Sequence, residues 1–130
     1  MTAYRRGDVR AIIETICDAA FAAINNGRAL ESQIVAIATG WDHAIQARSD
    51  SSVHRLKNLL LRQPVVTVAI VARALGVSDS AAYTSIVKLV ETGILLQSTA
   101  GRRNRHWRAT EVLSALDEFG ARARRRRAGR

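Results

Sequence analysis

Few side chains in this chain are placed to do chemistry. His43, His54 and His106 have no cysteine or carboxylate at the spacing of a metal site, so no zinc centre is expected. His43, beside Trp41 and Asp42, reads as a surface histidine, and His106 as a solvent-facing strand residue. Cys17 is the only cysteine. It can form no internal disulfide and is expected to be a small buried hydrophobe in a protein of the reducing cytoplasm. No nucleophile stands beside a base, and there is no glycine-rich phosphate loop. The expectation is a protein that is not an enzyme and carries no metal or cofactor. What remains is charge. GRRNRHWRA, residues 101–109, sets Arg102, Arg103, Asn104 and Arg105 on a glycine turn next to a tryptophan. Guanidinium groups on a narrow turn suit phosphate oxygens, or a narrow minor groove where negative potential concentrates. A hairpin charged only to stay soluble is the plain alternative.

The rest of the charge is uneven. The 130 residues carry a net +9. Residues 1–50 hold five arginines against six acids, so the excess lies wholly in residues 51–130. Such asymmetry points to a polyanionic partner for the second part, with double-stranded DNA the first choice. A membrane span is not expected. The longest apolar run, VVTVAIVA, is far short of the ~20 residues a spanning helix needs, and no signal peptide is evident.

The elements that would position these residues are mostly helical, since alanine is frequent and aromatics are scarce. Asp8 can cap a helix with Ile12, Ile13, Ile16, Ala20 and Ile24 at helical spacing. Asn25-Asn26-Gly27 reads as its end, because both residue types tolerate left-handed backbone. A second helix from about Leu30 to Gln46 puts Leu30, Ile34, Ile37, Ala38, Trp41 and Ile45 on one side. Residues 1–50 are therefore expected to form an N-terminal helical hairpin. Its long apolar stripe predicts a homodimer through these helices. Residues 51–120 read as a second unit and 121–130 as a polybasic tail, disordered when alone.

Within the second unit, Ser52 caps a helix that Pro64 stops. Val65-Val66 reads as a short strand. Thr67 caps the next helix, Gly76-Val77-Ser78 turns, and Ser78 caps a helix to about Glu91, ended by Gly93. Ile94 to Ser98 and Arg103 to Arg108 read as paired strands about the glycine turn. Thr110 starts a last helix with Val112, Leu113, Leu116 and Phe119 inward. This order is that of a winged helix–turn–helix, with Ala72 small at the helix crossing and Val77 filling the angle. The fold class expected is thus mostly α, a winged helix–turn–helix with an N-terminal helical hairpin.

In that fold the helix 78–91 enters a major groove. Ala82, Ile86, Leu89 and Val90 share its inner face. The candidate DNA-binding residues are Ser78, Ser80, Ala81, Tyr83, Thr84 and Lys88 on this helix, with Arg102, Arg103, Asn104 and Arg105 on the wing. The helix face lacks Arg, Asn and Gln, which make bidentate base contacts, and Glu91 repels phosphate. Strong base readout is not expected. In the returning strand Arg105, Trp107 and Ala109 share one face, with Trp107 over the core.

The stretch PVVTVAIVARALGVSDSAAYTSIVKLVETGILLQSTAGRRNRHWRATEVLSALDEF resembles the C-terminal winged-helix segment of Fic/DOC family proteins, and YRRGDVRAIIETICDAAFAA is similar to helices that follow their catalytic core. Fic enzymes transfer AMP from ATP to protein hydroxyls through a loop reading His-x-Phe-x-Asp/Glu-Gly-Asn-Gly/Lys-Arg. Asn26-Gly27-Arg28 mimics its end, but Ala20, Ala22, Ile24 and Asn25 stand at the histidine, phenylalanine, acid and glycine. The resemblance implies no active site, because the general base is missing. Two functions are expected from these readings: a transcription regulator binding duplex DNA, or the non-catalytic C-terminal interaction module of a Fic-type AMP transferase.

Overall fold

The computed structural model describes residues 2–45, 51–98 and 104–128. These are mostly helical, with a small antiparallel sheet. In chain order they form α1 (Thr2–Ala44), α2 (Ser52–Arg62), β1 (Val65–Val66), α3 (Val68–Leu75), α4 (Asp79–Glu91), β2 (Leu95–Gln97), β3 (Trp107–Ala109) and α5 (Thr110–Ala128). The sheet order is β1-β3-β2. Gln97 pairs with Trp107 and Leu95 with Ala109, while Val66 pairs with Trp107 from the other side.

The expected N-terminal hairpin does not form. α1 runs unbroken for 43 residues, about 65 Å at 1.5 Å per residue. Asp8 and Asn25-Asn26-Gly27 lie inside it, not at its ends. The reason is tertiary. α5 lies antiparallel along the second half of α1, and the Asn26 side chain is used there twice. Its Nδ2 donates to the Phe119 carbonyl at 3.1 Å, and its Oδ1 accepts from Arg122 Nε. An asparagine engaged this way has no need of a turn, and a mid-helix glycine costs only about 1 kcal/mol.

The polybasic tail is likewise helical rather than disordered as far as Ala128. Alanine and arginine are good helix formers, and cations are favoured at a helix C-terminus. Arg122 faces Glu118 at 3.9 Å, and Arg126 Nη2 donates to the Asp18 carbonyl at 3.2 Å.

Elsewhere local signals and structure agree, except that the returning strand is Trp107–Ala109 and not Arg103 to Arg108, residues 104–106 lying outside the ladder. Ser51, one residue before the expected cap, accepts from the His54 amide; Thr67 accepts from Ile70 and Ser78 from Ala81. Gly76 adopts φ +68 at the end of α3, and Gly93 φ +82 after α4. Leu56, Leu60, Val66, Val71, Ile86, Leu89, Leu95 and Trp107 form the core, and Trp41 joins it from α1. Trp41 Nε1 donates to Glu111 Oε1 at 3.2 Å, which ties α1 to the start of α5. Lys57, largely buried in α2, donates to Asp42 of α1. That hydrogen bond holds the Asp42 carboxyl below its ordinary range.

Three burial patterns differ from expectation. Helical spacing turns Ile12, Ile13, Ile16 and Ile24 inward, yet they are half exposed or more, and Cys17 among them is exposed rather than buried. The body ends before reaching Ile12, Ile13 and Ile16, and Ile24 turns away from α5, which lies beside Ala22, Ala23 and Asn26. Leu116 is exposed and Ala115 takes the buried position on α5. Val90 is exposed in the last turn of α4. No helix is long and apolar enough to cross a membrane among the described residues.

Candidate nucleic-acid interface

The candidate surface is built from α4 and the strand pair after it. α3 and α4 are joined by a tight turn in which Gly76 supplies the left-handed backbone and the Val77 amide donates to the Ala72 carbonyl at 3.0 Å. Val77 is half-buried against the core. α4 then starts on Ser78, whose Oγ accepts from the Ala81 amide at 3.1 Å. Ser78 is thus engaged as a cap.

Ala82, Ser85, Ile86 and Leu89 anchor α4 to the core. That rotation turns Ser80, Tyr83, Thr84 and Lys88 to the exterior, with Ala81 partly covered. The outward face carries little donor capacity. Thr84 Oγ1 donates to the Ser80 carbonyl at 3.0 Å, so its hydroxyl hydrogen is used within the helix. Lys88 supplies the face with its full cation. Asp79 in the first turn and Glu91 in the last set a carboxylate at each end.

The residues expected on a wing fall into two groups. Arg102 and Arg103, and with them the whole of the turn expected at 99–102, lie outside the described residues. Asn104 is exposed at φ +54, the left-handed region that asparagine tolerates better than most side chains. Arg105, Trp107 and Ala109 share the inner face of the returning segment, as their alternation predicts, and Trp107 and Ala109 are buried. Arg108 is exposed on the opposite face, in register with Leu96 and Val65, and takes no part in this surface.

Arg105 is the join. Its guanidinium carbon lies 5.0 Å from the Tyr83 ring centroid and 5.4 Å from that of Trp107. The two rings meet edge to face, 6.2 Å apart at 65°. Arg105 Nη1 also approaches Tyr83 Oη at 3.4 Å, at the long limit for a hydrogen bond. A guanidinium over a ring keeps N–H donors at its edge for a further partner. Each cation–π contact of this exposure contributes about 0.5–1 kcal/mol. The stack therefore fastens the strand pair to α4 and presents a cation beside Lys88's helix.

Sequence reasoning sets Tyr83 to one side of the helix, near a phosphate, and misses its place under Arg105. The only trace in the sequence is an aromatic on a face of small residues. Among the described residues no cluster of three His, Cys, Asp or Glu could hold a metal ion. No protein-family model matches the chain, and no curated protein matches it significantly.

Proposed function

We propose that the chain is a cytoplasmic winged helix–turn–helix protein that binds double-stranded DNA and regulates transcription. In this reading α3 and α4 are the helix–turn–helix, and β2, β3 and the turn between them are the wing. The observation that carries it is the Arg105–Tyr83–Trp107 stack. It holds Arg105, just before β3, against the exposed face of α4, so in this reading the two elements meet a duplex together. Affinity comes mainly from arginine–phosphate contact, because α4 offers Ser80, Thr84 and Lys88 but no bidentate reader of bases. Sequence preference is accordingly modest and comes from the wing.

A second reading is the non-catalytic interaction module of a Fic-type AMP transferase. The observation favouring it is the same poor face on α4, closed by Asp79 and Glu91.

The experiment is a titration against random-sequence duplex at several salt concentrations. The slope of log K against log salt falls by about 0.9 for each phosphate that is no longer neutralised. Replacing Arg102, Arg103 and Arg105 together with alanine is expected to flatten it by about two to three units. An unchanged slope removes the wing from the interface. No measurable affinity in dilute buffer rejects duplex binding and leaves the interaction module.

A further inference from the structure

The first half of α1 carries an apolar seam with no partner among the described residues. Steps of four and three residues run through Val9, Ile13, Ile16, Ala20, Ala23, Gly27, Leu30, Ile34, Ile37 and Trp41. That is the repeat of a helix–helix seam. Its second half is covered by the chain itself: Trp41 is buried, and Ile34 and Ile37 pack on the core. Its first half is bare. Val9, Ile13 and Ile16 are each more than half exposed, as is Ile12 beside them, and Ile24 is half exposed. α5 reaches only as far as Asp18.

We propose that this strip pairs with the same strip of a second copy, antiparallel, about a two-fold axis level with residue 18. The size pattern selects the direction. The exposed seam is large at Val9, Ile13 and Ile16, then small at Ala20, Ala23 and Gly27. An antiparallel copy sets Val9 against Gly27, Ile13 against Ala23 and Ile16 against Ala20. Every large side chain meets a small one, in both directions, so the axes can approach to about 8 Å without voids. A parallel copy sets large on large and small on small, which leaves gaps beside the alanines.

The area is of the right order. Five aliphatic side chains exposed by half or more amount to roughly 500 Å² per chain, at the upper end of what a monomer leaves in one patch, and the small residues extend it toward the ~800 Å² per partner of a stable interface. Ile12 borders the seam on the α5 side. There the second copy's Ile12 comes level with the groove of about 650 Å³ between α1 and α5, lined by Ala19, Ala23, Asn26 and Phe119. Duplex binding is not a premise of this pairing.

Sedimentation equilibrium and cross-linking of the full chain test it. The expected mass is that of two chains. Ile13→Glu with Ile16→Glu halves it while circular dichroism keeps its helix content, since both side chains lie on the surface of the single chain. Cys17, exposed, reports direction. In the antiparallel pair both Cys17 residues flank the seam on one side, about 3 Å apart along the axis, and a short bismaleimide joins them. In a parallel pair they lie on opposite sides. A single-chain mass at high micromolar concentration overturns the proposal and leaves the seam to a different protein. A dimer that Cys17 does not cross-link overturns the antiparallel register. A dimer unaffected by the double variant overturns the seam itself. DNA affinity is read separately, in titrations of the same samples.

Discussion

The two halves of α1 share one apolar repeat and meet opposite fates. From Leu30 onward the repeat is folded into the body through Trp41 and Ile45, fastened by Trp41 to Glu111 and by Asp42 to Lys57. From Val9 to Ile24 similar residues stand in solvent. An apolar stripe specifies that a helix will be covered, and says nothing about what covers it. The body, built on α2 to β3, is small and α5 contacts α1 only from Asp18 onward, so the residues before it stay in solvent.

Single substitutions should separate the two regions sharply. Trp107→Ala removes a buried ring that touches both the core and the Tyr83–Arg105 stack, and should cost about 3–5 kcal/mol by urea denaturation. Ile12→Ala, also a large apolar deletion, should change stability by no more than about 0.5 kcal/mol in dilute protein. Equal losses at the two sites would erase the distinction.

The midpoint of α1, where the regions meet, is tested by Asn26→Ala. Removing its two bonds to α5 should cost about 1–3 kcal/mol, because the Arg122 side chain and the Phe119 carbonyl are left without their partner. Amide exchange should then quicken around residues 25–27. Next to it, Gly27→Ala should stabilise the helix by about 0.5–1 kcal/mol, since a Cβ there meets nothing within 4 Å and the backbone is already helical. A destabilised Gly27→Ala would mean that this segment samples the turn its residues suggest.

The smallest effect is expected from acid. The Asp42 carboxyl is lowered by its hydrogen bond from Lys57. Its contribution is therefore present above the ordinary aspartate pKa of about 4 and is lost as pH falls through the lower folded value. Melting temperatures of the wild type and Asp42→Asn should differ at pH 7 and converge toward pH 2. A constant difference would place the role of Asp42 elsewhere.

The body was legible because its signals are local. Thr67, Ser78 and Gly76 act on amides or backbone within a few residues, so the caps and the turn read directly from the chain. The two strands on either side of residues 99–102 were read from alternation, but their register, with Leu95 opposite Ala109, was not. Two things were not legible. Asn25-Asn26-Gly27 has the composition of a helix end, and only α5 alongside keeps it helical. Arg105 alternates inward with Trp107, but nothing in either strand names Tyr83 as the ring it lies on.

Sequence by itself determined the helical class, the caps and turns from Thr67 to Gly93, the uneven charge and the apolar stripes of residues 12–24 and 30–45. Those depend on propensity, on hydrogen bonds spanning three or four residues, and on composition. Tertiary structure decided that α1 is one helix, that the basic end of α5 is ordered against it, and that the strand pair is stacked on α4. Each of these rests on contacts between residues far apart in the chain: Asn26 with Phe119 across 93 positions, Arg105 with Tyr83 across 22. Side chains that distant meet only after the core has set the distance between their helices and strands.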